Sequence, residues 1–251
     1  MDEIVSWREG RLEPDSNPER ISGKNAGMAV RFKTRNDEKV MLKVAISYVS
    51  VEQARKNMLA ELPGWDFEQV KQASFSEWND WLGRIEVEGG SREQQIKLYT
   101  DLWHALLGRH VVSDADGHYM DMTSDFPRIR QIPLGEDGKP LYNHHNFDAW
   151  WGSHWSLNIL WSMAYPEVMD NFCNTMTDMY QNGGLIPRGP SGGNYTYVMI
   201  GDPAVSFFAS AYNKGICNYD AELAYEGLRK NAFVGGIRDH AGYEHSKTAH
   251  S

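Results

Sequence analysis

The residues best suited to chemistry lie between Asn143 and Trp161, where the run NHHNFDAWWGSHWSLNILW holds four of the chain's nine tryptophans and three of its nine histidines. Tryptophan combines a large apolar face with an N–H donor that needs a partner when it is buried. Such side chains suit a surface that is half core and half ligand contact. Sugar rings, with apolar C–H faces and hydroxyl edges, are the ligands that fit this composition best.

The three histidines of this run, His144, His145 and His154, have two interpretations. Imidazole is a common ligand of transition metals, but adjacent histidines rarely bind one ion, and no partner spacing of the known zinc sites is present. The sequence therefore predicts no metal site here. It favours hydrogen-bond donors that line a polar pocket.

A second candidate segment is the glycine-rich stretch GPSGGN at residues 189–194. It lacks the Gly-Lys-Ser ending of a phosphate-binding loop and does not follow a predicted strand, so a nucleotide site is not indicated. Its glycines either let the backbone approach a ligand closely or only turn the chain between helices.

Composition narrows the class of protein. The chain has 251 residues and a formal net charge of −9 without any basic stripe, which argues against a nucleic-acid surface. Cys173 and Cys217 give neither a disulfide framework nor a metal spacing. No apolar run approaches the roughly eighteen residues of a membrane span, and the first twenty residues lack a signal-peptide layout. The abrupt beginning and end suggest a piece of a longer protein.

Periodicity predicts a mainly helical chain. Residues 29–34 and 40–49 are rich in β-branched and aromatic residues and predict a hairpin. Helices are expected from Ser50 onwards, separated by Gly-rich turns. The aromatic run predicts a buried helix over about 148–163, with Trp150 and Trp161 on one face and Trp151 and Trp155 about 100° around it.

Three motifs resemble glycoside hydrolase family 92. SVEQARKN at 50–57, PGWDF at 63–67 and LWHALL at 102–107 occur in order with family-like spacing, and the stretch from Asn182 to Ile216 is similar to an inner loop and the helix that follows it. The resemblance covers roughly residues 25–235. This is the family of calcium-dependent, exo-acting α-mannosidases that trim N-glycans and mannans.

The resemblance implies a fold and a division into domains. Residues 1–49 would be the last strands of a β-sandwich, residues 50–90 would be linker helices, and residues 91–251 would form the first part of an (α/α)6 toroid. The fold class expected is thus mainly α with N-terminal β-strands. A full-length protein that follows the family would be periplasmic or secreted.

The resemblance also implies inversion at the anomeric carbon and a calcium ion that distorts the mannose. Trp150 matches the tryptophan that faces the sugar, whereas Trp151 replaces the family's Asp and His154 replaces its Arg. Asn194 and Tyr195 stand where the family reads Asn-Glu, so the Glu that acts as general acid is replaced by Tyr195. The catalytic base and most calcium ligands are expected beyond Ser251.

Since tyrosine has an ordinary pKa of about 10, three alternatives remain for the acid. Another carboxyl has taken over, the leaving group needs no protonation, or hydrolysis is lost. Asp148, Asp202 and Glu244 are the nearest carboxyls in sequence. Asp148 and Asp202 are interpreted first as helix N-caps, because each precedes a predicted helix.

The sequence thus predicts a family 92 type glycosidase with an altered active site. It would bind a terminal α-mannoside through Trp150, Trp151, His154, Asn194 and Tyr195. The rival interpretation is a non-catalytic carbohydrate-binding relative that lost the acid. Replacing Tyr195 by Glu is the test that the sequence suggests, because gained activity would show that the remaining machinery survives.

Overall fold

The computed structural model describes residues 3–12, 21–147, 149–198 and 200–239. The chain divides into two compact units, Met1–Leu42 and Lys43–Ser251. The described chain is mainly helical, as predicted. The β-sandwich and the first part of an (α/α)6 toroid remain predictions. No helix in the described ranges combines the length and the apolar character that crossing a membrane requires.

The first unit contains a small antiparallel sheet. Strand β1 (Glu3–Arg8) lies between β2 (Arg11–Leu12) and β3 (Gly27–Arg31), and Ser6 pairs with Met28 in the register. The predicted hairpin is wrong for its second half, because residues 40–49 form no strand. Their alternating apolar pattern has no paired strand in the described chain, and a strand needs a partner for its backbone groups.

Three helices open the second unit: α1 (Val51–Glu61), α2 (Phe67–Leu82) and α3 (Arg92–Leu107). Each begins after a side-chain N-cap. The side chains of Ser50, Asp66 and Ser91 accept hydrogen bonds from the backbone N–H three residues later, which satisfies a donor that the first turn leaves open.

Short antiparallel strands follow the helices. Strands β5 (His118–Asp121) and β6 (Arg128–Gln131) form one pair, and β4 (His110–Val111) pairs with β7 (His145–Asn146). This second pairing anchors the start of the aromatic run to the end of α3. The run therefore enters the fold from a fixed point.

The remaining helices build the core. Helix α4 spans Leu157–Ala164, α5 Pro166–Gly183, α6 Ala204–Asn213 and α7 Ala221–Asn231. Helix α5 packs against the other three, and its inward face carries wholly buried side chains at helical spacing. Its bounds follow the sequence prediction, because Pro166 at the first turn and left-handed Gly184 at the end are strong boundary signals.

The aromatic run is not the single helix predicted over 148–163. A 3₁₀ turn occupies Ser153–Trp155, and α4 begins only at Leu157. Gly152 precedes the turn with φ of 80°, a left-handed conformation that interrupts a regular helix. The two faces predicted for the tryptophans nevertheless persist, since Trp150 and Trp161 are buried whereas Trp151 and Trp155 are exposed.

Candidate functional site

A cavity of about 500 Å³ lies between two stretches of the second unit. One wall comes from the 3₁₀ turn and the residues just before it, and the other comes from the segment that leads into α6. The side chains and backbone that line it belong to Trp151, Gly152, His154, Trp155, Ile200, Gly201, Asp202, Pro203 and Ser206.

The first wall is aromatic and open to solvent. Trp151 is 69% exposed and Trp155 is 78% exposed. The ring of His154 lies 4.3 Å from that of Trp155, centroid to centroid. Two exposed tryptophans on one wall of a cavity form an apolar surface that a ligand or a partner could cover. The wall offers flat faces with polar edges, which a sugar ring can lie against.

Trp150 faces the other way and is fully buried. Its ring stacks on Phe147 at 4.5 Å and on Phe207 at 4.2 Å, and its indole N–H lies 3.0 Å from the sulfur of Met176. The sequence predicted that Trp150 flanks the sugar. In the structure the ring packs in the core instead, and a ring without exposed surface has no face left for a ligand.

Backbone hydrogen bonds join the aromatic run to the glycine-rich segment. The Trp150 N–H donates to the Arg188 carbonyl at 2.9 Å, and the Phe147 N–H donates to the Pro190 carbonyl at 3.4 Å. The two stretches that the sequence singled out therefore do converge. They meet through backbone hydrogen bonds, whereas the cavity wall opposite the aromatic run comes from residues between 200 and 206 and not from the glycine-rich segment itself.

Tyr195 does not line the cavity, because its side chain turns into a small cluster with Met179 and Leu185. Its hydroxyl donates to the Met179 carbonyl at 2.6 Å and accepts from the Leu185 N–H at 3.2 Å. Burial raises the pKa of this phenol above its ordinary value. Tyr195 therefore cannot replace a general acid, and its neighbour Asn194, although exposed, uses its side-chain oxygen on the Tyr195 N–H.

Among the described residues that line the cavity, Asp202 alone carries a carboxyl, yet its side chain is fully buried. Nε of Arg238 lies 3.8 Å from the Asp202 carboxylate, and Arg188 also interacts with it electrostatically. Burial raises the pKa of Asp202, and Arg238 opposes that rise. The predicted capping role is wrong, since Pro203 is the N-cap of α6 and no side chain caps that helix.

The other two candidate carboxyls, Asp148 and Glu244, lie outside the described residues. The described cavity lining thus contains no carboxyl side chain that reaches solvent. The described lining offers aromatic faces, an imidazole, the side chain of Ser206 and backbone groups.

His144 and His145 lie in the core and not in a polar pocket. His144 stacks on Tyr119 at 4.2 Å, and His145 lies 4.7 Å from Phe172. Burial lowers the pKa of His144 to about 3 and that of His145 to about 4, so both are neutral at pH 7. The expected role as pocket donors is wrong, because burial removes both rings from the cavity.

The part of the chain that the structure describes brings no three His, Cys, Asp or Glu side chains together around a common point. Calcium takes six to eight oxygen ligands, mainly carboxylates and carbonyls. The described residues therefore form no cluster that would supply several carboxylate ligands to one ion.

Sequence reasoning did not single out Arg188. Arg188 is 3% exposed in a chain whose charges are otherwise mostly on the surface. One signal was available, because an arginine between Pro187 and the Gly189-Pro190 pair sits in backbone that cannot form regular structure. Irregular backbone leaves carbonyls that a guanidinium can satisfy.

Comparisons with known proteins agree with the fold. The sequence profile of the glycosyl hydrolase family 92 catalytic domain matches residues 53–250. An uncharacterized secreted glycosidase of Arthroderma benhamiae is 27% identical over 214 residues, which are 83% of this chain and 22% of that protein. This chain thus spans less than a quarter of that relative's length.

Solved structures show the same similarity. An inverting family 92 mannosidase of Bacteroides thetaiotaomicron matches with a TM-score of 0.70 and 23% identity, over 91% of this chain and 29% of its own. A family 92 α-mannosidase of the same organism matches with a TM-score of 0.74 and 23% identity, over 90% of this chain and 30% of its own. Because the family profile covers most of the sequence and the fold agrees, the chain belongs to glycoside hydrolase family 92.

Proposed function

We propose that this chain supplies the sugar-binding cavity of a glycosidase that removes terminal α-mannosides. The observation that carries the proposal is the open aromatic wall of Trp151, His154 and Trp155 facing the segment 200–206. Family membership and the mannosidases among the similar structures give the ligand class.

The cavity suits one sugar residue in size and chemistry. A volume of about 500 Å³ lies within the range of small-molecule sites, which run to several hundred Å³. The tryptophan faces would cover the apolar C–H side of a pyranose ring. His154 would hydrogen-bond to a hydroxyl at its edge, and Gly201 would let the backbone approach closely.

Inverting hydrolysis needs a carboxylic acid and a carboxylate base about 6.5–9.5 Å apart, with a water on the far side of the anomeric carbon. The described lining offers no accessible carboxyl, since Asp202 is shielded and Tyr195 is turned away. We therefore assign to this chain the binding and orientation of the sugar, and to carboxyls outside the described lining the transfer of protons. No step is assigned to calcium.

We also propose, from the resemblance, that the substrates are N-glycan or mannan ends and that the full-length protein is secreted or periplasmic. The Arthroderma relative is named as secreted, which supports the second proposal. Calcium dependence follows from the resemblance alone.

A non-catalytic carbohydrate-binding function is the second candidate. Two hydrogen bonds that hold the hydroxyl of Tyr195 favour this function. The residue at the family's acid position is a tyrosine instead of a glutamate, and its side chain also points into the protein interior. Both candidates require the same cavity, and they differ only in turnover.

The test titrates the full-length protein with methyl α-D-mannopyranoside by calorimetry, and assays release of mannose from a panel of α-linked mannobioses. Trp151→Ala and Trp155→Ala should each weaken binding about tenfold, as loss of a stacking face predicts. Trp65→Ala is the matched control, because Trp65 is 58% exposed but lies outside the cavity.

Binding with turnover supports the glycosidase, and binding without turnover supports the carbohydrate-binding relative. The proposal fails if no mannoside binds, or if Trp65→Ala weakens binding as much as the two cavity variants do.

A further inference from the structure

The two walls of the cavity come from stretches about fifty residues apart in sequence, so something must hold them at a fixed spacing. Arg188 contacts both. It belongs to neither wall and is not among the residues that line the cavity.

Its backbone holds the aromatic wall. The Arg188 carbonyl accepts the N–H of Trp150 at 2.9 Å, and Trp150 directly precedes Trp151. Because the Trp150 ring is packed in the core, this hydrogen bond fixes the point from which the exposed tryptophan leaves the protein.

Its side chain holds the opposite wall. Nε donates to the Gly201 carbonyl at 2.8 Å, Nη1 to the Tyr197 carbonyl at 3.1 Å, and Nη2 to the Ile237 carbonyl at 2.7 Å. One planar guanidinium thus joins three separate points of backbone. The ammonium of a lysine presents its donors from a single atom and cannot reproduce this arrangement.

One residue of the segment so held, Tyr197, is conformationally strained. Its φ of 51° lies in the left-handed region that a bulky residue rarely adopts, whereas Gly201 adopts its φ of 79° without strain. A strained conformation such as that of Tyr197 persists only where surrounding contacts enforce it. The hydrogen bond from Arg188 to the Tyr197 carbonyl contributes to that constraint.

Charge supports the same arrangement. Burial lowers the pKa of Arg188, and the nearby Asp202 carboxyl acts in the opposite direction. The fully buried Asp202 side chain immediately follows Gly201, so the cation and the anion lie beside the same wall. Removing the arginine would take a hydrogen-bond donor from three backbone carbonyls and a nearby positive charge from the Asp202 carboxyl.

We propose that Arg188 is the positioning residue that sets the spacing of the two cavity walls and, through it, the affinity of the cavity for a sugar. The effect on sugar affinity rests on the proposed function, whereas the effect on the spacing of the two walls does not.

Two measurements test the proposal on the full-length protein. Hydrogen exchange of peptides covering 195–203 reports the second wall, and calorimetry with methyl α-D-mannopyranoside reports affinity. The variants are Arg188→Met, Arg188→Lys and a control, Arg84→Met. Arg84 also joins separate elements, since it stacks over Trp81 at 4.3 Å and donates to the Ala164 carbonyl, but it lies away from the cavity.

Arg188→Met should speed exchange in 195–203 and weaken binding about tenfold or more, the scale expected when binding groups shift by a fraction of an ångström or more. Arg188→Lys should recover only part of the loss, and Arg84→Met should change neither measurement. If Arg188→Met does not fold, Arg188→Lys carries both tests.

Wild-type exchange and affinity in a folded Arg188→Met variant would overturn the proposal, as would an equal effect of Arg84→Met. If the wild type binds no mannoside, the proposed function fails. Faster exchange in 195–203 then still supports the positioning role, and unchanged exchange refutes it.

Discussion

Trp150 and Trp151 are neighbours in sequence with opposite surroundings. Trp150 is fully buried among Phe147, Phe172 and Phe207, whereas Trp151 is 69% exposed beside the cavity. The histidines divide in the same way, since His144 is buried and His154 is exposed. The inner face of the run stabilises the fold, and the outer face is available for a ligand.

Of the variants that test this difference between the two faces, Trp150→Ala should lower the free energy of unfolding the most. Truncating a buried tryptophan removes apolar contacts and leaves a cavity, so a loss of about 3–5 kcal/mol in the free energy of unfolding is expected. Trp151→Ala should change it by less than about 1 kcal/mol. Urea unfolding followed by circular dichroism measures both, and equal losses would remove the distinction between the two faces.

Tyr195→Glu should cost about 3 kcal/mol at pH 7, because the new carboxyl would be buried beside Met179 and Leu185 in place of a paired hydroxyl. Tyr195→Phe is the control and should cost about 1 kcal/mol. Since a buried carboxyl has a raised pKa, the cost should shrink as the pH falls.

This result also changes what the Tyr195→Glu test can show. The sequence suggested the variant as a test of whether the remaining machinery survives, but the side chain at this position points away from the cavity. We expect no gain in mannose release. A gain would show that the segment 194–198 can turn outward.

His144→Phe should flatten the dependence of stability on pH. The pKa of His144 is about 3 in the fold and about 6.5 when it is unfolded, so the unfolded chain takes up the proton first. The stability that neutral His144 contributes is complete above pH 6.5 and is lost as the pH falls towards 3.

Between pH 6.5 and 4 the wild type should lose about 2–3 kcal/mol more than His144→Phe. Urea unfolding at several pH values gives the difference, which isolates His144 from Asp121 and the other acids that titrate in the same range. His154→Phe is the control on the exposed face. Parallel pH profiles for the wild type and His144→Phe would contradict the assignment.

Gly152→Ala should have the smallest effect and should lower the free energy of unfolding by about 1 kcal/mol. A Cβ at this position would meet no atom within 4 Å, so the cost comes only from the left-handed φ of 80°. Chemical denaturation measures it. A much larger loss would show that the turn between the inner and outer tryptophans is packed and not merely bent.

Local signals in the sequence predicted much of the fold. Pro166 and the glycines after residue 182 bounded α5, and Asp220 capped α7 by accepting the Leu223 N–H. These features work because capping and backbone restriction act over three or four residues. The family was also readable, because its motifs occur in order along the chain.

The site was predicted only in part. The convergence of the aromatic run and the glycine-rich segment was expected, and the structure brings Trp151 and His154 to the cavity. Trp150 and Tyr195 were predicted to contact the ligand because they match positions of the family's motifs, but the structure buries both side chains. A motif position does not determine which way a side chain points once the neighbouring elements pack against it.

The sequence by itself determined the helices, their ends, the aromatic content of the 143–161 run and the family. Only the tertiary structure decided which ring faces inward, that Asp202 is shielded, and that Arg188 joins the two walls. The physical reason is the separation in sequence over which each kind of interaction acts. Caps and turns depend on neighbours in sequence, whereas burial and the spacing of a cavity depend on contacts between residues that the fold alone brings together.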